Sequence, residues 1–309
     1  MPSATNDDGP RHDATPAHPG QTCQNPRSGT AGVSAWASDL RETATDERYD
    51  PCVPHAARVY SYWLGGKDHY PADRKAAEEV IRLRPQVVAS ARGNRHFLAR
   101  VVHYLAGECG IRQFLDIGTG LPAPDNTHEI AQRVAPDCRV VYVDNDPLVL
   151  VHARALLTST PEGSCDYIDA DLRDTATILG HAAQTVNLAQ PVGVLLLAVL
   201  HLVPDADDPA GIVAALAAGV ASGSHIAISH LTADFAPAQV TAATSAYNNL
   251  APVPVTARTR TQVTALFGGL PLAAPGVVKI TQWRPRIGGP FPQPADLYGG
   301  VARIPEDRP

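Results

Sequence analysis

Between residues 112 and 231 the hydrophobic positions of this chain fall in short continuous runs, separated by amphipathic stretches. QFLDIG from Gln113, RVVYVD from Arg139, CDYIDA from Cys165, PVGVLLLAVL from Pro191 and SHIAIS from Ser224 all read as strands. Helical periodicity separates them around Thr127 to Val134, in PLVLVHARALL from Pro147 and in DPAGIVAALAAGVA from Asp208. Unbroken apolar strands alternating with helices predict a mostly parallel sheet covered on both faces.

The flanking regions follow other periods. Val59, Tyr62 and Trp63 stand three and four residues apart, on one face of a predicted helix that Gly65-Gly66 ends. Pro71 opens a second helix with Ala76, Ala77, Val80 and Ile81 as its apolar side. A third, from Pro85 to about Ala106, carries Phe97, Val101 and Leu105. Toward the C-terminus, Pro237 to Asn248 reads as helix, and VVKITQW and LYGGVARI as an antiparallel hairpin at the sheet edge. Residues 1–33, rich in Pro, Gly, Thr and Asp, read as a disordered tail, with a short helix near Ala35 to Ala44 beyond it.

Composition narrows the function classes. The 44% hydrophobic and 18% charged residues describe an ordinary globular core. No run approaches the roughly 20 apolar residues a membrane helix needs, and the N-terminus lacks the apolar core of a secretory signal. The expectation is a cytoplasmic protein without membrane partners. A net charge of −6, with lysine only at Lys67, Lys75 and Lys279, disfavours nucleic acid as a partner. The five cysteines (Cys23, Cys52, Cys109, Cys138, Cys165) form no close pair, which predicts reduced thiols and no zinc site.

The chemistry concentrates at the strand ends. The first strand ends in Asp116-Ile117-Gly118-Thr119-Gly120, where small residues let the chain turn beneath a closely approaching ligand. A tight turn without ligand would use the same residues. The second strand ends in Asp144-Asn145-Asp146. Asp144 there can accept both hydroxyl hydrogens of a ribose, while Asp146 before Pro147 suits a helix cap. The third ends in Asp169-Ala170-Asp171-Leu172, with Asp171 placed for an exocyclic adenine amine and Leu172 packing nearby, or for another helix cap.

The turn GTGLPAP lacks the third glycine of the dinucleotide fingerprint, and Asp116 would repel a diphosphate. An acidic site suits the cationic sulfonium and ammonium of S-adenosylmethionine instead. A nicotinamide oxidoreductase is thereby the weaker reading.

The strings PHAARVYSYWLGGKDHYPADR, FLDIGTGLPAPDNTHEIAQ, VVYVDNDPLVLVHARALL, YIDADLRD and LLLAVLHLVPD occur in that order after residue 50. In them the chain resembles the actinobacterial-type S-adenosyl methyltransferase family, once known only as a domain of unknown function. The resemblance implies an α/β, Rossmann-like class I methyltransferase fold: a mostly parallel seven-stranded sheet with helices on both faces and an N-terminal helical lid. It implies residues 34–110 as lid region and 111–309 as the domain binding S-adenosylmethionine. Gly118, Asp144, Asp171 and the backbone around Ala198 become expected cofactor contacts, beside Asp116, Thr119, Gly120, Asn145 and Leu172 of the strand-end motifs. Tyr62, Gly65, Gly66 and Lys67 join them as a lid, Lys67 facing the methionyl carboxylate; a plain helix C-cap is the alternative.

His201 follows the fourth strand in LAVLHLVPD and would face the methyl group, to orient an acceptor or take its proton. A structural hydrogen bonder is the simpler role for it. The expected activity is methyl transfer to a small-molecule acceptor; a non-catalytic sensor or interaction protein would keep the same cofactor motifs.

Overall fold

The computed structural model describes residues 50–156, 158–285 and 295–306. The expected tail and the helix near Ala35 to Ala44 lie outside them. Strands β1 (Gln113–Ile117), β2 (Arg139–Asp144), β3 (Ser164–Asp169), β4 (Gly193–Leu197) and β5 (His225–Leu231) are parallel neighbours. With β6 (Val278–Lys279) and β7 (Leu297–Arg303) they form one seven-stranded sheet in the order β3-β2-β1-β4-β5-β7-β6.

Alternation along the strands assigns the two faces. Leu115, Val141, Val194 and Ile226 enter one core, with Ile178 of α6 (Thr175–Ala182) and Val213 of α7 (Pro209–Ala218). Their neighbours Phe114, Val140 and Leu195 enter the other, with Phe97 and Val101 of α3 (Val87–His103) and Ile130 of α4 (Thr127–Val134). Helix α3, predicted within a lid, is therefore part of the central core. It ends in a π-helical turn over Tyr104–Glu108.

A third cluster lies apart from the sheet. Val59 of α1 (Ala56–Leu64) and Ala76, Ala77 and Val80 of α2 (Pro71–Leu83) pack with Ala243 and Tyr247 of α8 (Pro237–Asn248). Gly65 ends α1 in the left-handed region at φ 85°, and Pro71 sits in the first turn of α2, as their sequence context predicts.

At the edge, β7 pairs antiparallel with both β5 and β6. VVKITQW contributes only two strand residues before a 3₁₀ turn at Ile280–Gln282. Ile280 and Trp283 are fully buried, and their carbonyls accept from Arg100, so burial there replaces the ladder. Helix α9 (Arg260–Ala265), not anticipated, starts with a capping box between Thr259 and Gln262. Helix α5 (Pro147–Leu156) completes the β2 crossover. Cys109, Cys138 and Cys165 are free thiols, whereas Cys52 is disulfide-bonded, which corrects the expectation of reduced thiols throughout: residue spacing does not reveal which cysteines meet. Among the described residues no helix is long and apolar enough to cross a membrane.

Candidate active site

The ends of β1 to β4 open into one cavity of about 270 Å³, roofed by α1, α2, α3 and α8. Asp116, Gly118, Thr119, Gly120, Asp144 and Asn145 line it from β1 and β2. Asp171, Leu172, Ala198 and His201 line it from β3 and β4.

The β1 turn is built around two left-handed glycines. Gly118 (φ +72°) lies so close to β4 that an added Cβ would overlap Val199. Gly120 (φ +68°) faces open space. Asp144 holds this turn, accepting from Gly120 N at 2.8 Å and from Asp146 N at 3.0 Å. Burial raises the Asp144 pKa, against the two amides and His55. Burial likewise pushes Asp116 up to about 6, although the Thr127 hydroxyl donates to it at 2.6 Å. Both carboxyls are thus uncomfortable alone, and a cation between them would favour ionisation.

Asp146 caps α5 through Leu148 N at 3.0 Å, as its place before Pro147 predicts. Its other oxygen lies 3.0 Å from His55 Nδ1, while Ala57 N lies 3.3 Å from the same nitrogen. One nitrogen cannot donate and accept at once. Burial lowers the His55 pKa, but the bond to Asp146 outweighs it and the net shift is upward. A protonated Nδ1 donates to Asp146, whereas an unprotonated Nδ1 accepts from Ala57 N and caps α1. Arg58 joins this buried group, 3.4 Å from Asp73 and 3.7 Å from Asp146.

At β3, the helix cap belongs to Asp174, which accepts from Thr177 N at 3.1 Å. Asp171 instead takes a two-pronged bond from Arg173, at 2.9 and 2.7 Å, which holds its pKa low. Arg173 also reaches Asp207 at 3.0 Å.

At β4, Ala198 adopts φ 56°, costly for a residue with a Cβ. Its amide donates to Ser229, to the carbonyl at 3.0 Å and to Oγ at 2.9 Å. Ser229 Oγ donates onward to Asn94 at 2.6 Å, and Asn94 donates to Tyr60 at 3.1 Å. This chain of bonds ties the bend to the roof.

His201 is followed by a segment fixed through Arg258. That guanidinium, 3% exposed, donates to the carbonyls of Leu200 (2.9 Å) and Val203 (2.8 Å) and to Asp205 (2.6 Å). It also donates to His230 Nε2 at 2.8 Å, so His230 carries its proton on Nδ1, toward the Leu231 carbonyl at 2.7 Å. The His201 ring packs edge-on to His230 with centroids 5.7 Å apart. Burial, then the charge of Arg258, push His201 down to about 4.

Four expected contacts are not at the cavity. Tyr62, Gly65, Gly66 and Lys67 are absent from its walls. Ala56, Tyr60 and Trp63 form the inward stripe of α1, and Tyr62 lies off that stripe. Its hydroxyl donates to Glu78 on α2 at 2.9 Å. Gly65 and Gly66 close the helix on Tyr62 and Ser61 carbonyls, and Lys67 follows on the exposed turn. The C-cap alternative describes this turn. Arg95, unremarked in the sequence, does line the cavity; its guanidinium donates to the carbonyls of Pro124 (3.2 Å) and Asp125 (2.7 Å) and pairs with no carboxylate among the described residues. Thr127, Asn94, Ser229 and Arg258 also went unremarked, for no local motif marks them.

The model of the family described as S-adenosyl methyltransferase matches residues 42–305. A solved structure of a DUF574 family protein from Streptomyces avermitilis is 44% identical, covers 82% of this chain and 98% of its own, and superposes with a TM-score of 0.78. A candidate methyltransferase from Thermobifida fusca is 38% identical, with coverage of 82% and 96% and a TM-score of 0.75. No curated protein matches the chain. The acidic strand ends, the glycine turn and the matched family agree: the chain belongs to the S-adenosyl methyltransferase family, with S-adenosylmethionine as its cofactor.

Proposed function

We propose that this methyltransferase acts on a small-molecule acceptor, with its cofactor along the ends of β1 to β3 and the acceptor beneath α1, α2 and α8. The observation that carries this reading is that the glycine turn, Asp116, Asp144 and His201 share one cavity with an apolar roof.

The residues present fit S-adenosylmethionine. The open side of Gly120 leaves room for a ligand against the backbone. Two buried carboxyls, both raised by desolvation, gain from a cationic neighbour. Asp144 has lone pairs left for ribose hydroxyls beyond its two amide bonds. Asn145 stands beside it; Asp171 and Leu172 serve the adenine. Gly118, Thr119 and the Ala198 backbone line the methionyl side. Arg95, which lines the cavity where Lys67 does not, takes the carboxylate role. Bound there, the cofactor supplies an electrophilic methyl group, and the protein's part is alignment and exclusion of water.

Asp144→Ala tests this assignment. The loss should be about 1.5–3 kcal/mol of S-adenosylmethionine binding, the range for hydrogen bonds to a charged group, or roughly 10- to 150-fold in Kd. Calorimetric titration of the folded variant measures it. Unchanged affinity would remove Asp144 from the site.

His201 orients the acceptor as a neutral imidazole. Burial and the charge of Arg258 lower its pKa to about 4, so it is neutral throughout the physiological range. Raising the pH through 6.5 therefore recruits no further base. Methyl-transfer rates between pH 5.5 and 7.5 should show the same pH dependence in wild type and His201→Asn. An acid limb near 6.5 that disappears in the variant would restore His201 as a titrating base.

A further inference from the structure

The acceptor half of the cavity has polar side chains that the protein itself has already satisfied. Trp63 Nε1 donates to the Ala77 carbonyl at 3.3 Å, and Tyr60 donates to the Ala91 carbonyl at 3.0 Å while accepting from Asn94. Arg84 is neutralised by Asp296, with Nε donating at 2.7 Å, and its NH2 reaches Ser90 at 2.9 Å. What these residues turn to the cavity is aromatic or aliphatic surface, continued by Val80, Val87 and Val240. Three polar groups on the wall make no hydrogen bond among the described residues: the His201 ring, the Tyr247 hydroxyl and the Thr244 hydroxyl. None of them carries charge at neutral pH. Pro252 and Val253 form part of the wall where Val253 is 40% exposed, which gives an uncharged, apolar ligand a route in.

We propose that the acceptor is an uncharged, mainly apolar ring compound bearing a hydroxyl group, methylated on that oxygen. The proposal rests on the cofactor placement above. A carboxylate or phosphate on the acceptor would need a free cation, and Arg84 is already paired while Arg95 lies toward the cofactor's carboxylate. A protonated amine would need a free carboxylate, and those of the cavity are Asp116, Asp144 and Asp171 at the strand ends and Asp207, which Arg173 already pairs at 3.0 Å. Burying either charge unpaired would cost several kcal/mol. A flat ring instead meets Tyr60, Trp63 and Tyr247, where aromatic contacts add to the gain from burial. In the transfer the acceptor oxygen forms a bond to the methyl carbon as the carbon–sulfur bond breaks. The bonding pair stays on sulfur, and the hydroxyl proton passes to the His201 imidazole and then to solvent. The oxonium formed on oxygen is a far stronger acid than imidazolium, so even a weakly basic ring receives that proton.

Three probes with one ring system separate the possibilities: 1-naphthol, 1-naphthoate and 1-naphthylmethylamine. Their binding is measured by equilibrium dialysis, with and without S-adenosylhomocysteine, so that no turnover is involved. The expected result is 1-naphthol bound at least tenfold more tightly than either charged probe, and weakened at least tenfold by Thr244→Arg with S-adenosylhomocysteine affinity unchanged. Tyr247→Phe, which removes only a hydroxyl, gives a milder loss and serves if Thr244→Arg fails to fold. Tighter binding of a charged probe, or 1-naphthol affinity indifferent to both variants, overturns the proposal. Failure to bind S-adenosylhomocysteine at all would instead overturn the cofactor placement, and the probe ranking on the unloaded protein would still judge the acceptor class.

Discussion

Gly118→Ala should destabilise the protein by about 2–5 kcal/mol and abolish measurable cofactor binding, although it adds a single methyl group. Two costs add. At φ +72° a residue with a Cβ pays roughly 1–2 kcal/mol of backbone strain. The new Cβ would also lie 2.8 Å from Val199 Cβ, and closer still to a Val199 methyl. Val199 is 9% exposed and packed into the core beside the Ala198 bend, so it has little room to retreat. Any shift that relieves the overlap moves the β1 turn away from β4, across the floor on which the methionyl group would lie. The melting temperature should fall by about 4–20 °C, at 2–4 °C per kcal/mol for a chain of this size. Gly120→Ala provides the contrast. It shares the left-handed backbone (φ +68°) but meets nothing within 4 Å, so only the strain should be lost. If both variants melt alike, the approach to Val199 is not what makes Gly118 obligatory. A Gly118→Ala/Val199→Ala double variant should recover the steric part alone, since the two sites share that contact.

The contrast between these glycines shows where sequence reasoning reaches and where it stops. DIGTG reads as a tight turn at a strand end because that inference needs only local backbone chemistry. Which glycine is crowded depends on β4, some eighty residues later in the chain. The same division runs through the site. Asp146 and Pro147 announce a cap because donor and acceptor are two residues apart. The apolar runs announce the parallel strands because each must be buried on both faces. Periodicity gives the apolar stripe of α1 but not which neighbour covers which part of it, so it does not tell Tyr62 from Trp63. Packing of α2 against α8 decides that, leaving Trp63 toward the cavity and Tyr62 on Glu78. Lys67 is a rare lysine after two glycines, a conspicuous local feature. Arg95, an ordinary arginine within a helix, lines the cavity instead, and only the tertiary fold brings it beside Asp116. The roof joins α1 and α2 to α8, from opposite ends of the described chain, so no motif within either segment could announce it.

Arg258 is the strongest case of a residue invisible in sequence and central in the fold, and its removal should cost about 2–6 kcal/mol, at roughly 1–3 kcal/mol for each of the two buried acceptors it strands. Its donors satisfy the Val203 carbonyl and His230 Nε2, and they share the Leu200 carbonyl with Val203 N, which donates to it at 3.2 Å. Asp205 differs: its side chain is 72% exposed, and water can replace the arginine there. The loss therefore comes from the stranded Val203 carbonyl and His230 imidazole rather than from the ion pair. Arg258→Met keeps most of the volume and should still lose most of this stability, because packing is not what the side chain supplies. Arg258→Lys should recover only part, since one ammonium cannot reach acceptors spread around a planar fork. The damage should also be local. Residues 199–206 carry His201 and are held on one side by Arg258 and on the other by Thr256 N donating to the His201 carbonyl at 2.8 Å. Amide exchange across 199–206 should accelerate strongly in Arg258→Met, while the β1 turn stays protected and S-adenosylmethionine affinity changes less than about threefold, under 1 kcal/mol. Exchange that rises equally in both regions would show Arg258 to be a general stabiliser of the fold, with no particular hold on the His201 segment.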